Sequence, residues 1–292
     1  MQRKVMMSFL VGCVLSAAVP ALAGPATEAG EAFAAGQALL SKADFDGALE
    51  AFKTAARTAP QNQEYAQQYA MLRQVVRMRS GCAEERDAEQ WLKKAGALRT
   101  FYYDHHLYAE ALPLDQERHR RLRSAQSAVL LAETQLALGN YSQAVELLGG
   151  LTEEQTSPRT RVLHALALAC QGRIDQAKEM AQTPQQVTDD TGPRYFYDLA
   201  RLRALLGHSQ EAFQALTRSL ELTPPSQLEA FKAEVKECKD FSGLVSTADF
   251  VKVLETSSKV KESGCSKGAG CGKCPMRAKC ENKKAESGQK AP

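Results

Sequence analysis

A short pattern returns three times in this chain at a nearly constant interval. Gly139-Asn140-Tyr141-Ser142-Gln143-Ala144-Val145-Glu146-Leu147-Leu148 follows an apolar stretch at 128–138. Gly172-Arg173-Ile174-Asp175-Gln176-Ala177 follows a second at 162–170, and Gly207-His208-Ser209-Gln210-Glu211-Ala212-Phe213 follows a third at 195–206. Ala144, Ala177 and Ala212 are therefore 33 and 35 residues apart. An interval of this size belongs to stacked helix pairs. The Gly or Asn is expected to end the first helix in a left-handed conformation. The aromatic or aliphatic residue two positions on re-enters the core, and the Ala lets two backbones approach closely. One such hairpin cannot bury its apolar face alone, so neighbours must stack.

An earlier unit has the same grammar. Gly36 and Leu39 lie on a first helix, Phe45, Ala48, Phe52 and Ala55 on a second, and Pro60 closes it. In the last unit Ala200, Ala212, Leu216 and Pro224 hold the matching places. These residues resemble the tetratricopeptide repeat family over roughly residues 29–225. The resemblance implies an all-α fold, a solenoid of antiparallel helix pairs with a concave inner surface. It also implies a scaffold that binds protein or peptide and is not an enzyme. Leu107-Tyr108-Ala109-Glu110-Ala111-Leu112 reads as the start of a further second helix, one period ahead of Tyr141. The fit is poorer there, because Pro113 falls in its first turn and Asp115 stands where a large apolar residue is usual.

Between these units the pattern loosens. Residues 63–78 read as one helix broken by a Ser80-Gly81-Cys82 turn, and 87–103 as another that holds the single tryptophan, Trp91. After Pro224-Pro225, residues 227–239 read as a helix. The segments at 240–244 and 249–254 resemble the cap that follows a terminal tetratricopeptide repeat. The expected organisation is a signal peptide at 1–23, a first repeat at 24–62, a degenerate helical region at 63–124, repeats at 125–225, capping helices at 226–256 and a polar tail at 257–292.

The N-terminus carries Arg3 and Lys4, an apolar stretch from Val5 to Val19, and Ala21-Leu22-Ala23 before Gly24. That is the layout of a cleavable secretory signal, which predicts a periplasmic or secreted protein beginning at Gly24. Leu10-Val11-Gly12-Cys13 also resembles a lipobox, so acylation at Cys13 is the competing outcome. The apolar stretch is short for a spanning helix and nothing comparable follows it, so no transmembrane segment is expected in the mature chain. A formal charge of +3 on 292 residues, spread evenly through the repeats, gives no footprint for nucleic acid.

The tail changes abruptly to Gly, Ser, Lys and Cys. Cys265, Cys271, Cys274 and Cys280 are spaced C-x5-C-x2-C-x5-C. The Cys271-Gly272-Lys273-Cys274 knuckle suits a tetrahedral thiolate site for zinc or another soft metal, with Lys267, Lys273, Arg277 and Lys279 offsetting the thiolate charge. The short outer gaps depart from a zinc ribbon. Two disulfides fit an oxidising compartment equally well, and an iron-sulfur segment is the third reading. A metal-handling or thiol-redox protein acting through this tail is therefore the alternative to a pure scaffold. Cys170, in an apolar helix, is expected to be a buried thiol, whereas Cys82 and Cys238 have no assignment from sequence.

Tyr102-Tyr103-Asp104-His105-His106 has the residue types of a metal or acid/base cluster. Adjacent helical histidines point about 100° apart, however, so a helix end with surface polar groups is expected. His119, His164 and His208 are isolated. Arg118, Arg120, Arg121 and Arg123 with His119 read as a solvated charged face. No nucleophile motif, phosphate loop or paired-carboxylate arrangement was found.

Overall fold

In a computed structural model that describes residues 25–182 and 192–261, the chain forms thirteen α-helices and two short 3-10 turns, with no strand among the described residues. It divides into two compact units, with the division falling between Leu114 and Asp115.

The first unit contains α1 (Pro25–Leu40), α2 (Phe45–Thr58), α3 (Gln63–Glu84), α4 (Ala88–Asp104) and the start of α5 (Tyr108–Leu122). α1 and α2 pack as a hairpin. Gly36 is needed where they cross, because a Cβ there would lie 2.6 Å from Phe52 Cδ1. Asp44 caps α2 by accepting from the Gly47 amide at 3.0 Å, which satisfies one of the donors a helix start leaves open. Phe45, Phe52, Leu72, Trp91, Leu98, Tyr102 and Ala111 are buried in one core. The Arg79 guanidinium lies 4.0 Å from the Phe45 ring centroid and pairs with Glu110 at 3.1 Å.

The expected break at Ser80-Gly81-Cys82 is absent, since α3 runs through it to Glu84. Glycine inside a helix costs only about 1 kcal/mol. Here Cys82 is buried, and Lys94 Nζ donates to the Gly81 carbonyl and pairs with Glu85. Between Gln63 and Glu84 the chain thus adds one continuous helix, α3, packed against α2 and α4.

The second unit continues with α6 (Ala125–Ala137), α7 (Tyr141–Gly149), α8 (Pro158–Cys170), α9 (Ile174–Gln182), α10 (Pro193–Leu205), α11 (Ser209–Leu222), α12 (Pro225–Glu237) and α13 (Ala248–Leu254). α6 pairs with α7, α8 with α9 and α10 with α11, and the first helices α6, α8 and α10 contact one another in turn. This is the stacking of an α-solenoid. Ala144, Ala177 and Ala212 are all 0% exposed at the helix crossings.

Five turns share one geometry. The backbone N–H groups of Asp44, Leu107, Asn140, Arg173 and His208 donate to the carbonyls of Leu39, Tyr102, Gln135, Leu168 and Arg203, at 3.0, 2.7, 2.8, 2.9 and 2.9 Å. The residue before each donor has positive φ: Ala43 (59°), His106 (56°), Gly139 (77°), Gly172 (83°) and Gly207 (81°). This is the Schellman closure of a helix. Three glycines fill the left-handed position, and Ala43 and His106 fill it at a cost. The left-handed conformation costs a residue with a Cβ roughly 1–2 kcal/mol, partly offset by the greater chain entropy that glycine gives the unfolded state. Ala43→Gly is therefore expected to raise stability by about 0.5–1 kcal/mol in urea unfolding. A loss of stability would mean that the Ala43 methyl group contributes packing that outweighs this strain.

α5 starts at Tyr108 as the sequence predicts, but Pro113 lies inside it, past the first turn. Asp115 is fully buried and accepts a hydrogen bond from Thr134 Oγ1 at 2.6 Å. The carboxylate at the expected apolar position is thus matched by a polar residue on α6.

The cap follows α12 with a 3-10 turn at Lys239–Phe241 and then α13. Phe241 is 0% exposed, with its ring centroid 6.1 Å from that of Tyr197 and 6.0 Å from that of Phe250. Beyond α13 the Lys259 amide donates to the Glu221 carbonyl at 2.8 Å, and the Lys259 ammonium pairs with the Glu221 carboxylate. The stretch expected to be tail from residue 257 therefore starts with residues tied to α11. The signal peptide, Cys13, and Cys265, Cys271, Cys274 and Cys280 lie outside the described residues.

Candidate interaction face

On α10, Arg194, Tyr197, Asp198 and Arg201 fall at spacings of three, four and seven residues, which places them on one face of the helix. The same side of its neighbours brings partners to them. Arg159, at the start of α8, pairs through Nη2 with Glu133 of α6 and, at 3.5 Å, with Asp198. Arg201 Nε donates to Asp240 Oδ2 at 2.7 Å, and its Nη1 lies 3.6 Å from Asp198 Oδ1. Arg194 Nη1 donates to Glu234 of α12 at 2.6 Å. Its guanidinium also lies 5.2 Å from the Tyr197 ring centroid and 6.0 Å from that of Phe231.

Two guanidiniums, those of Arg159 and Arg201, thus meet Asp198, which is 4% exposed. Burial pushes its carboxyl above the usual carboxylate range, against the pull of Arg201, Arg159 and Arg194. Burial alone would lower the pKa of Arg201, but Asp240 and Asp198 outweigh it and hold the group firmly charged. Glu234 and Asp198 do the same for Arg194. Asp198 Oδ2 and Arg159 Nε are buried and make no hydrogen bond.

Two cysteines border this face. Cys170, at the end of α8, is half-buried instead of enclosed as expected, and burial pushes its thiol up to about 12, which makes it a poor nucleophile. Cys238 is also half-buried, with its thiol beside the Tyr197 hydroxyl. Cys82 is buried in the first unit.

The remaining sequence candidates fall elsewhere. Tyr102 is buried, Asp104 ends α4, His105 packs at a tilt against Phe101 with ring centroids 4.4 Å apart, and His106 is the left-handed turn residue. His106 Nδ1 bonds with the Tyr108 hydroxyl at 3.0 Å. Burial lowers the His105 pKa. Among the described residues no three His, Cys, Asp or Glu side chains come together to hold a metal ion. In the basic run, Glu117 receives Arg120 and Arg121 at 2.6 Å each, and those hydrogen bonds hold its carboxyl at about 2. His119 Nδ1 meets Ser127 Oγ at 3.1 Å. His164 is half-buried, and His208 precedes α11 with its Nδ1 3.6 Å from Glu211.

The charged face was not foreseen from sequence. Its partners on different helices are 26 to 40 positions apart along the chain, and the only local trace is the spacing of Arg194, Asp198 and Arg201 on α10.

The family model for the tetratricopeptide repeat matches residues 125–149 and 158–183. The chain carries tetratricopeptide repeats. The matched segments are the hairpins α6–α7 and α8–α9, so Glu133 and Arg159 of the charged face lie within them. The hairpin α10–α11 repeats their turn outside the match. Such repeats are the mark of a scaffold for protein–protein interaction. No curated protein matches the chain. Among the described residues no helix is long and apolar enough to cross a membrane.

Proposed function

We propose that this tetratricopeptide repeat protein is an exported scaffold, which holds an extended or helical segment of another protein along the first-helix face of its second unit. The carrying observation is that Arg159 and Arg194, with side chains 34% and 41% exposed, lie on that face beside half-buried Phe231 and Arg201 and the buried Tyr197. Arginine is among the residues that dominate the energetics of protein interfaces, and here both exposed ones are held in place by ion pairs. Holding them beforehand reduces the ordering cost of binding. Export rests on the charged, apolar and small-residue layout before Gly24.

The test is site-specific photo-crosslinking in the producing cell. A benzoylphenylalanine at Val129 or Phe231, both half-buried beside the face, should yield a discrete protein adduct, whereas one at Asp249 on α13 should not. Equal adducts at all three sites, or none at any, would overturn the assignment of this face. Mass spectrometry of the same material should find Gly24 as the first residue. An acylated Cys13 would replace free export with membrane anchoring.

A further inference from the structure

Asp198 is the poorly matched member of the charged network. Arg159 meets Glu133 and Asp198 through one nitrogen, Nη2, which stands 3.5 Å from Asp198 Oδ2. Arg201 donates to Asp240 at 2.7 Å and reaches Asp198 Oδ1 only at 3.6 Å. Arg194 gives its 2.6 Å bond to Glu234. Charge-assisted hydrogen bonds are usually about 2.7–2.9 Å long, so each guanidinium has a nearer carboxylate than Asp198. By formal charge Glu133, Asp198, Glu234 and Asp240 also outnumber Arg159, Arg194 and Arg201.

Asp198 is the deepest of these four carboxylates. Its side chain is 6% exposed, against 13% for Glu133, 14% for Asp240 and 23% for Glu234, and its Oδ2 makes no hydrogen bond. A buried carboxylate without close donors is unfavourable in its charged form, and a like charge nearby adds to the penalty. Uptake of one proton relieves both effects and leaves Glu133, Glu234 and Asp240 matched to the three arginines.

We infer that Asp198 is a proton site, and that loading it on mild acidification stabilises the stack of α6, α8 and α10. The charged groups that face it are Arg194 and Arg201 on α10 itself, Arg159 from α8 and Glu133 from α6, while Glu234 of α12 and Asp240 of the cap hold two of those arginines. From α11, Leu216 and Leu220 add apolar side chains to the core around Tyr197 and Ala200.

Burial, with the charge of Glu133, holds the Asp198 carboxyl above its ordinary 3.8 against the pull of the three arginines. The folded chain therefore keeps this proton over a pH range in which the unfolded chain has lost it, and stability rises as pH falls through the folded value. Half-buried His105 and His164 act in the opposite sense. Burial lowers each below the ordinary 6.5, so acid favours the unfolded chain there. Glu85, Glu117 and Glu221 are held below 4.5 and lose their contribution only in stronger acid. A difference between variants separates Asp198 from these other groups.

The test compares wild type with Asp198→Asn, which keeps the shape and removes the proton site, by thermal unfolding of the full chain. From about pH 7 to about pH 5, the wild-type midpoint should rise by about 2–4 °C relative to that of the variant. Aspartate Cγ resonances of the labelled wild-type chain, followed by NMR, should include one that titrates above the ordinary Asp range and is missing in Asp198→Asn. Asp240→Asn frees Arg201 for Asp198 and should lower the midpoint of that titration, which simple loss of packing would not do. Parallel pH profiles for the two proteins, no aspartate titrating above the ordinary range, or an unmoved titration in Asp240→Asn would overturn the proton site.

Discussion

Phe241→Ala should destabilise the second unit by about 3–5 kcal/mol, the usual cost of removing a fully enclosed aromatic side chain. Phe241 is the fully buried side chain among the contacts that join the cap to the last hairpin. Its ring meets Tyr197 of α10 on one side and Phe250 of α13 on the other, and its carbonyl accepts from the Leu244 and Val245 amides. Truncation would leave a cavity between α10, α11 and α13, next to a charged network that depends on exclusion of water. Asp240, which pairs with Arg201, is its immediate neighbour. Urea unfolding followed by circular dichroism would measure the loss, with Val251→Ala as the control because Val251 is 55% exposed. Equal midpoints for the two variants would mean that the cap adds little to the stability of the stack.

Ala144→Trp and Ala177→Trp are each expected to cost about 3 kcal/mol, at the upper end of what overfilling a packed site usually costs. Both alanines are 0% exposed where a second helix crosses its partner. An indole cannot fit without driving α7 from α6 or α9 from α8. Each first helix also packs on the next hairpin, so the displacement should spread and broaden the thermal transition. Gln176→Trp, one position away on the exposed side of α9, should melt like wild type. Normal melting of either buried variant would contradict the close approach of the hairpin helices.

The second unit was the most legible from sequence because its turns are marked by glycine. Gly139, Gly172 and Gly207 announce a left-handed residue, and the apolar stretches before them fix the helix that each one ends. The same turn at Ala43 and His106 carries no such mark. Position 43 could be placed only because Phe45, Ala48 and Phe52 repeat the pattern of the second helix. At 104–106 the histidines drew attention as possible ligands, whereas their fold role is to close α4. Gly81 misled in the opposite direction, because a glycine held by Lys94 within a helix looks locally like one that ends it. The charged face was hidden for a different reason. An ion pair between successive first helices joins residues a full repeat apart, and such pairing depends on the stacking register that only the folded chain supplies.

Lys259 closes the last hairpin from beyond the cap. Its amide fills one of the carbonyls that the last turn of α11 leaves open, and its ammonium pairs with the carboxylate of the same residue, Glu221. Fraying of the α11 C-terminus would have to break both contacts at once, so that helix end is secured by residues that follow it by more than thirty positions.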